Sequence, residues 1–169
     1  MNKKKIRYLG CTGAGILALL LADQYTKYLA QEYLKDQADI IWIPQVFQLH
    51  YLENRGAAFG LLQNQKFIFL ALCALFLCAA FLFLLQMPAT SRYIPLYFIA
   101  AGLSAGAAGN GIDRILYGYV IDFFYFSLID FPVFNMADIY VTVSGFLLIL
   151  YVCFVYREED FAFMQRRKS

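Results

Sequence analysis

The residues of this sequence best suited to chemistry are two aspartates, Asp122 and Asp138. Asp122 lies in an apolar and aromatic segment, residues 118–124, that offers its carboxylate no local partner, so we expect it to be functional or to pair with a distant group. Two carboxylates that lie close together cannot both ionise easily, and one keeps a proton. The ionised partner can then activate water while the protonated one polarises a carbonyl. Such a pair predicts a hydrolase that needs no metal.

The composition indicates that this chemistry takes place in a membrane. Hydrophobic residues make up 62% of the 169 residues and charged residues only 15%, whereas soluble domains carry about 25% charged residues. A chain this short has too much surface for its volume to hide so much apolar material from water. The net charge of +2 is too small to indicate a nucleic-acid partner.

Four apolar stretches are long enough to cross a bilayer as helices, which takes roughly 20 residues. They cover about residues 8–30, 67–87, 93–112 and 139–156. The first follows several lysines, as in a signal peptide, but it ends at Asp23 without a small-residue cleavage pattern, and we expect it to be retained. The fold class predicted is therefore an all-α membrane protein with four transmembrane helices, in one domain that covers residues 1–169.

The basic residues predict the orientation of these helices. Lysines and arginines concentrate at both ends of the chain and at Arg92, in the turn between the second and third stretches. Because such residues favour the cytoplasm, we expect both termini there and the connections 31–66 and 113–138 outside. Alternation in residues 47–51 and the aromatic, β-branched residues 119–126 predict strands of a small β-sheet on the outer membrane surface.

With this topology, nearly every unusual polar residue lies at one depth, at the outer membrane face. These residues are Asp23, Asn54, Arg55, Asn110, Asp113, Arg114, Asp122, Asn135 and Asp138. Charge in hydrocarbon is costly, and residues needed only to cap helices would be scattered over both faces. The clustering therefore indicates an active site toward the outer face.

Several of these residues also have a purely structural interpretation. Asp23 and Lys27 are four residues apart and can pair on one helix face, which is compatible with a role in the site. Asn135 can cap the fourth helix, with Asp138 in its first turn. Arg114 can simply favour the negative end of the third helix.

Other site chemistries find little support in the sequence. The one histidine, His50, lies on a candidate strand and outside any H-E-x-x-H pattern, which argues against a zinc peptidase. Glycines 102, 106 and 109 lie within an apolar stretch and indicate close helix packing rather than a phosphate loop. Cys11, Cys73, Cys78 and Cys153 show no metal-ligand spacing, and we interpret them as small buried residues.

Two further functions remain open on these observations. A proton- or ion-coupled transporter can carry intramembrane aspartates, although transporters usually place polar groups at the midplane and contain inverted repeats. A non-enzymatic assembly factor is the other, although it has no need of two convergent acids.

Five segments, in order, resemble the lipoprotein signal peptidases, the signal peptidase II family of bacterial membranes. They are DQYTK at 23–27, NRGAAFG at 54–60, GAAGNGIDR at 106–114, GYVIDF at 118–123 and FNMAD at 134–138. Ala105 stands where the family often has glycine, and Gly111 where a larger apolar residue is common. Both differences concern packing rather than chemistry.

The resemblance implies an aspartic endopeptidase of the bacterial cytoplasmic (inner) membrane that acts on diacylglyceryl-modified prolipoproteins. It would remove the signal peptide by cutting on the N-terminal side of the modified cysteine. Asp122 and Asp138 match the catalytic pair, and the substrate-binding residues matched are Asn54, Asn110, Arg114 and Asn135. The matched supporting residues are Asp23, Lys27, Gly56 and Asp113. We expect no metal or other cofactor, no nucleic acid, contact with membrane lipids, and a monomer.

Overall fold

A computed structural model describes residues 2–56 and 65–164, which form long helices joined to a small antiparallel sheet. The long helices are α1 (Lys3–Tyr33), α2 (Lys66–Gln86), α3 (Ile94–Leu116) and α4 (Met136–Leu150). The strands are β1 (Ile40–Ile43), β2 (Phe47–Asn54) and β3 (Val120–Tyr125). A mostly helical fold with a small sheet is confirmed.

Three helices in the described part of the chain are long and apolar enough to cross a membrane. They are α1, α2, and α4 with the turn that continues it, Met136–Val155. The remaining predicted span, residues 93–112, corresponds to α3, which has 23 residues and is therefore about 34 Å long at 1.5 Å per residue. It differs from the others because it is lined with small and polar residues and is buried along much of its length. The count of four spans stays a prediction.

α3 is the central helix, with α1, α2 and α4 packed around it. Its glycines make this possible, as the sequence predicted. A Cβ atom at Gly106 would lie 2.5 Å from the backbone oxygen of Ala137, and one at Gly109 would overlap the Asp23 carboxylate. Small residues at these positions let α1 and α4 approach the backbone of α3 closely.

Among the helix boundaries that differ from the prediction, two matter for the polar residues. α3 continues to Leu116, four residues further, so Asp113 and Arg114 lie in its last turns. α4 begins at Met136, three residues earlier, because Asn135 caps it. The Asn135 side chain accepts from the Asp138 backbone N at 3.0 Å, and the Asp138 carboxylate accepts from the Asn135 backbone N at 3.1 Å. The predicted cap is therefore a reciprocal capping box.

The sheet has the order β1-β2-β3, with antiparallel neighbours. Strands were predicted where β2 and β3 lie, whereas β1 was not predicted. In the β2–β3 pair, Leu52 stands opposite Asp122 and Asn54 opposite Val120. Apolar side chains of β3, among them Ile121 and Phe123, pack against the end of α1. This contact joins the sheet to one end of the helix bundle, which we call the sheet end.

At the opposite end of the bundle, Lys5 is buried and points at the last turn of α2. Its Nζ donates to the carbonyl oxygens of Leu84 and Met87 and to the Tyr97 hydroxyl. A cation at these carbonyls is favoured by the helix dipole. Nearby, Arg92 pairs with Asp160 at 2.8 Å and joins the α2–α3 turn to the C-terminal segment. Arg166, Arg167 and Lys168, which entered the orientation argument, lie outside the described residues.

The prediction that the cysteines are buried is wrong for three of them. Cys11, Cys78 and Cys153 are exposed on the surfaces of their helices, and only Cys73 is partly buried. In a membrane protein the outward surface of a helix is apolar as well, so an apolar run does not show which side chains face the interior.

We predict that Gly106→Ala destabilises the protein, because the new methyl group would meet backbone at Ala137, which cannot move aside like a flexible side chain. Overpacking of this kind costs about 1–3 kcal/mol. Thermal unfolding of the purified protein in detergent would measure the loss. Gly145→Ala in α4 is the matched control, because a Cβ there meets nothing within 4 Å. Equal melting temperatures for the two variants would contradict the packing role of Gly106.

Candidate active site

Asp122 lies in β3 at the sheet end of the bundle and is 1% exposed. Its two carboxylate oxygens accept hydrogen bonds from two asparagines. Asn54 Nδ2 donates to Oδ2 at 2.8 Å, and Asn135 Nδ2 donates to Oδ1 at 2.6 Å. The pairing of β2 with β3 places Asn54 there, since it stands close to Asp122 in the register. The distant partners that Asp122 required are therefore these amides.

Asp138 lies in the first turn of α4 and is half-buried. Its Oδ1 accepts from Asn110 Nδ2 at 2.8 Å, while its Oδ2 accepts from the Asn135 backbone at 3.1 Å. Asn135 therefore contacts both aspartates, Asp122 through its side chain and Asp138 through its backbone. The structure places the two predicted aspartates in the lining of one cavity and joins them through this single residue.

The surroundings of Asp122 favour its protonated form. Burial, together with the negative charge of Asp138, raises the pKa of this carboxyl to about 7. Hydrogen bonds from Asn54 and Asn135 oppose this shift, because they stabilise the ionised form. Near neutral pH the carboxyl can therefore both hold and release a proton.

Beneath the aspartates, a buried ion network joins α1 to α3. Lys27 Nζ lies 3.0 Å from Asp23 Oδ2 and 2.9 Å from Asp113 Oδ2, and all three side chains are at most 2% exposed. The pairing of Asp23 with Lys27 that the sequence predicted is thus present, and Asp113 completes it. Two carboxylates on one ammonium are costly to bury unless further donors satisfy them.

Those further donors come from the other elements. The Ala137 backbone N, in the first turn of α4, donates to Asp23 Oδ1 at 2.9 Å. The Ile121 backbone N, in β3, donates to Asp113 Oδ2 at 3.1 Å. Each aspartate of the network therefore holds the segment that carries one of the two candidate catalytic aspartates.

The network also orients Asn110. Lys27 Nζ donates to Asn110 Oδ1 at 3.0 Å, and Asn135 Nδ2 donates to the same oxygen at 3.1 Å. With its oxygen held by these two donors, Asn110 presents its amide nitrogen to Asp138. The lysine thus acts on Asp138 through an asparagine rather than by direct contact.

Arg114 and Gly56 meet at the edge of the site. Arg114 donates to the Gly56 carbonyl at 2.9 Å and to the Asn110 carbonyl of its own helix at 3.2 Å. The bond to Asn110 fits the interpretation of Arg114 as a residue that favours the end of its own helix. The bond to Gly56 instead joins α3 to the segment that follows β2. The Gly56 backbone N in turn donates to Asn54 Oδ1 at 3.0 Å. Residues 57–60 of the same sequence segment lie outside the described residues.

A cavity of about 1280 Å³ opens over both candidate aspartates. Part of its lining is apolar and lies along the helices, with Ala107 on α3 and Val141 on α4. The part of the lining on the sheet is polar and includes His50, whose Nδ1 is hydrogen-bonded to Asp39 Oδ1 at 2.8 Å. The cavity can therefore hold a molecule that is apolar in one part and polar in another.

One contributor to the site was not predicted. Gln24 Nε2 donates to Asp23 Oδ2 at 3.1 Å and to Asp113 Oδ1 at 3.0 Å. Its place beside Asp23 in the first matched segment was a signal that could have identified it. Within residues 2–56 and 65–164, no three histidine, cysteine or acidic side chains are grouped to hold a metal ion.

Comparison with known proteins identifies the family. The family model described as Signal peptidase (SPase) II matches residues 15–154, which include all of the site described above. The chain belongs to the signal peptidase II family. It is therefore a peptidase of a family of aspartic type, and the transporter and assembly-factor alternatives are excluded.

Curated relatives in the signal peptidase II family cover most of the chain. The lipoprotein signal peptidase of Streptococcus thermophilus (strain CNRZ 1066) is 42% identical over 145 residues, which are 86% of this chain and 92% of the relative. That of Symbiobacterium thermophilum is 43% identical over 145 residues, 84% of this chain and 93% of the relative.

Solved structures share the fold of this chain. A bacterial membrane enzyme determined by the in meso method at 2.3 Å resolution has a TM-score of 0.76 and 29% identity over 85% of this chain and 88% of its own. A second, at 1.9 Å resolution, has a TM-score of 0.75 and 28% identity over 87% of this chain and 95% of its own. This helical membrane fold therefore extends over most of the chain.

We predict that Lys27→Met lowers the free energy of unfolding by about 3–5 kcal/mol, because it leaves two buried carboxylates without their cation. Chemical or thermal unfolding in detergent would measure this. Lys35→Met is the matched control, because Lys35 pairs with Glu53 at 3.0 Å but both side chains are partly exposed, and such pairs contribute little. The ion network would not be a stabilising element if both variants unfolded like the unmodified protein.

Proposed function

We propose that this chain removes the signal peptide from diacylglyceryl-modified prolipoproteins by cutting on the N-terminal side of the modified cysteine. Asp122 and Asp138 are the catalytic pair of this aspartic endopeptidase. The observation that carries the proposal is the bridge at Asn135, which binds both carboxylates over one cavity. The name of the curated relatives, lipoprotein signal peptidase, supports the choice of substrate.

In this mechanism the pair shares one proton, held mainly by the more buried Asp122. Ionised Asp138 takes a proton from water as the water oxygen attacks the scissile carbonyl carbon. Asp122 donates a hydrogen bond to the carbonyl oxygen and stabilises the charge that develops on it. When the intermediate collapses, the carbon–nitrogen bond breaks and the cysteine nitrogen leaves with a proton from the pair. No step requires a metal ion.

The neighbouring polar residues bind the substrate backbone in this proposal. Asn54, Asn110 and Asn135 keep the two carboxylates in place and carry further amide donors and acceptors at the cavity. Arg114 offers a planar set of donors that suits peptide carbonyls. Asp23, Lys27, Gly56 and Asp113 position these groups and do not touch the reacting atoms.

The proposed setting is the bacterial cytoplasmic (inner) membrane, with α3 spanning it alongside α1, α2 and α4 and with the sheet end outward. Lys3, Lys4, Arg7 and Arg92 all lie at the end opposite the sheet, which supports cytoplasmic termini. The apolar part of the cavity lining would admit the substrate from the lipid. Every site residue comes from one chain, so a monomer suffices. Reporter fusions in the 31–66 connection and at the C-terminus test the orientation, and a C-terminal reporter active outside contradicts it.

We predict that Asp122→Asn and Asp138→Asn each lower cleavage by about 10⁴-fold or more, and that the double variant is little worse, because residues that act as a unit fail together. The assay follows a purified, diacylglyceryl-modified prolipoprotein by gel shift, with the unmodified form as a substrate control. Asp36→Asn is the matched protein control, since Asp36 is exposed and its left-handed backbone (φ 58°) suits asparagine. Substantial cleavage by a folded Asp138→Asn protein would show that Asp138 is only a helix cap.

We predict that kcat/KM falls as pH rises above about 7, because Asp122, whose pKa is raised to about 7, then loses the shared proton. The apparent pKa of this limb belongs to the pair rather than to one residue. Asn54→Ala removes a donor that holds this pKa down, so it should move the limb to higher pH. A profile that stays flat from pH 6 to 9 in both proteins would contradict the shared proton.

A further inference from the structure

A second, smaller cavity lies between α1 and α3, well away from the candidate aspartates. Its volume is about 230 Å³, and its wall is built from Tyr8, Cys11 and Gly15 on α1 and from Phe98 and Ala101 on α3. None of these residues contributes to the hydrolytic site. We call this cavity the α1–α3 groove.

The groove is a slot that runs along both helices. On α1 its residues recur at three- and four-residue spacing, which places them on one helix face over about 10 Å. The same spacing holds from Ile94 to Ala101 on α3. The two helices come together at the inner end, where a Cβ on Gly15 would lie 4.0 Å from the Ala101 Cβ. At the other end, near the start of both helices, the slot is lined by Arg7.

Positive charge is concentrated at this end of the slot, which we call its mouth. Lys3 and Lys4 lie one turn before Arg7 and Tyr8, on the same part of the α1 surface, and Lys3, Lys4 and Arg7 are all exposed. Within the described residues, no acidic side chain lies within 4.0 Å of any of these three cations. Lys5, by contrast, is buried against α2 and neutralises its carbonyl end. Of the four N-terminal cations, Lys5 therefore stabilises the fold, whereas Lys3, Lys4 and Arg7 can bind a ligand at the surface.

We propose that the α1–α3 groove binds one anionic phospholipid, with an acyl chain in the slot and the phosphate at Arg7, Lys3 and Lys4. The apolar slot leads inward from a basic mouth, and a lipid joins its anionic headgroup to its chains in the same order. Cations at a membrane surface attract anionic lipid. A second copy of this chain fits less well, because a side-by-side neighbour would bring its own three cations to the same level.

Cys11 gives a local measure of occupancy, since it is exposed and lines the groove. The purified full chain in neutral detergent would be alkylated with a maleimide, with added phosphatidylglycerol or with phosphatidylcholine of the same acyl chains. We expect phosphatidylglycerol to slow alkylation of Cys11 severalfold. Cys78 and Cys153, which are exposed outside the groove, should react at an unchanged rate and serve as internal controls.

Arg7→Gln should raise the phosphatidylglycerol concentration needed for half-protection by about fivefold, as expected for one cation at a membrane surface. Arg157→Gln is the matched control, because its side chain is 81% exposed and lies outside the groove. Equal protection by phosphatidylcholine, or no protection by either lipid, overturns the proposal. Protection that needs no lipid and grows with protein concentration overturns it in favour of a second copy. Alkylation of the unmodified protein with each lipid is sufficient by itself to test the proposal.

Discussion

The buried contact of Lys27 with Asp23 and Asp113 is the interaction on which the rest of the structure depends. One ammonium and two carboxylates lie where water cannot reach them, so each must find its partners within the protein. Asp23 finds the amide of Ala137 and Asp113 that of Ile121. The start of α4 and the strand β3 are therefore held by the charges of α1 and α3. The hydrogen bonds that the two buried carboxylates require thus bring together the segments that form the site.

The two candidate catalytic aspartates differ in their environment, and this difference separates their proposed roles. Asp122 is enclosed by the sheet, and burial raises its pKa to about 7. Asp138 is only half-buried, at a helix start, where backbone amides and the dipole favour negative charge. Environments that treat two like groups differently are how one site obtains an acid and a base. The position of Asp138 in the first turn of α4 therefore serves both interpretations: its carboxylate completes the helix cap, and the same surroundings favour the ionised form that the proposed base requires.

Sequence patterns predicted much of this fold and site, but not all of it. The length of the apolar runs indicated the helices, and the depth of the polar residues indicated one site at one face. The prediction ended α3 too early because Asp113 and Arg114, which lie in its last turns, are polar and interrupt the apolar run. β1 was missed because four exposed residues at a sheet edge have no alternation to display. The contact of Lys27 with Asp138 through Asn110 could not be predicted, because periodicity does not show which atom of an amide faces which neighbour.

Asn135 allows very little freedom for replacement over evolutionary time. Its oxygen caps α4 while its nitrogen donates to Asp122. Serine and aspartate start helices as well as asparagine does. Serine, however, has one hydroxyl for both tasks, and ionised aspartate has no donor and would add a third carboxylate to the pair. Among residues that favour a helix start, only an amide of this length accepts on one side and donates on the other. Capping of α4 alone would tolerate several residue types at this position, whereas capping together with donation to Asp122 restricts it to asparagine.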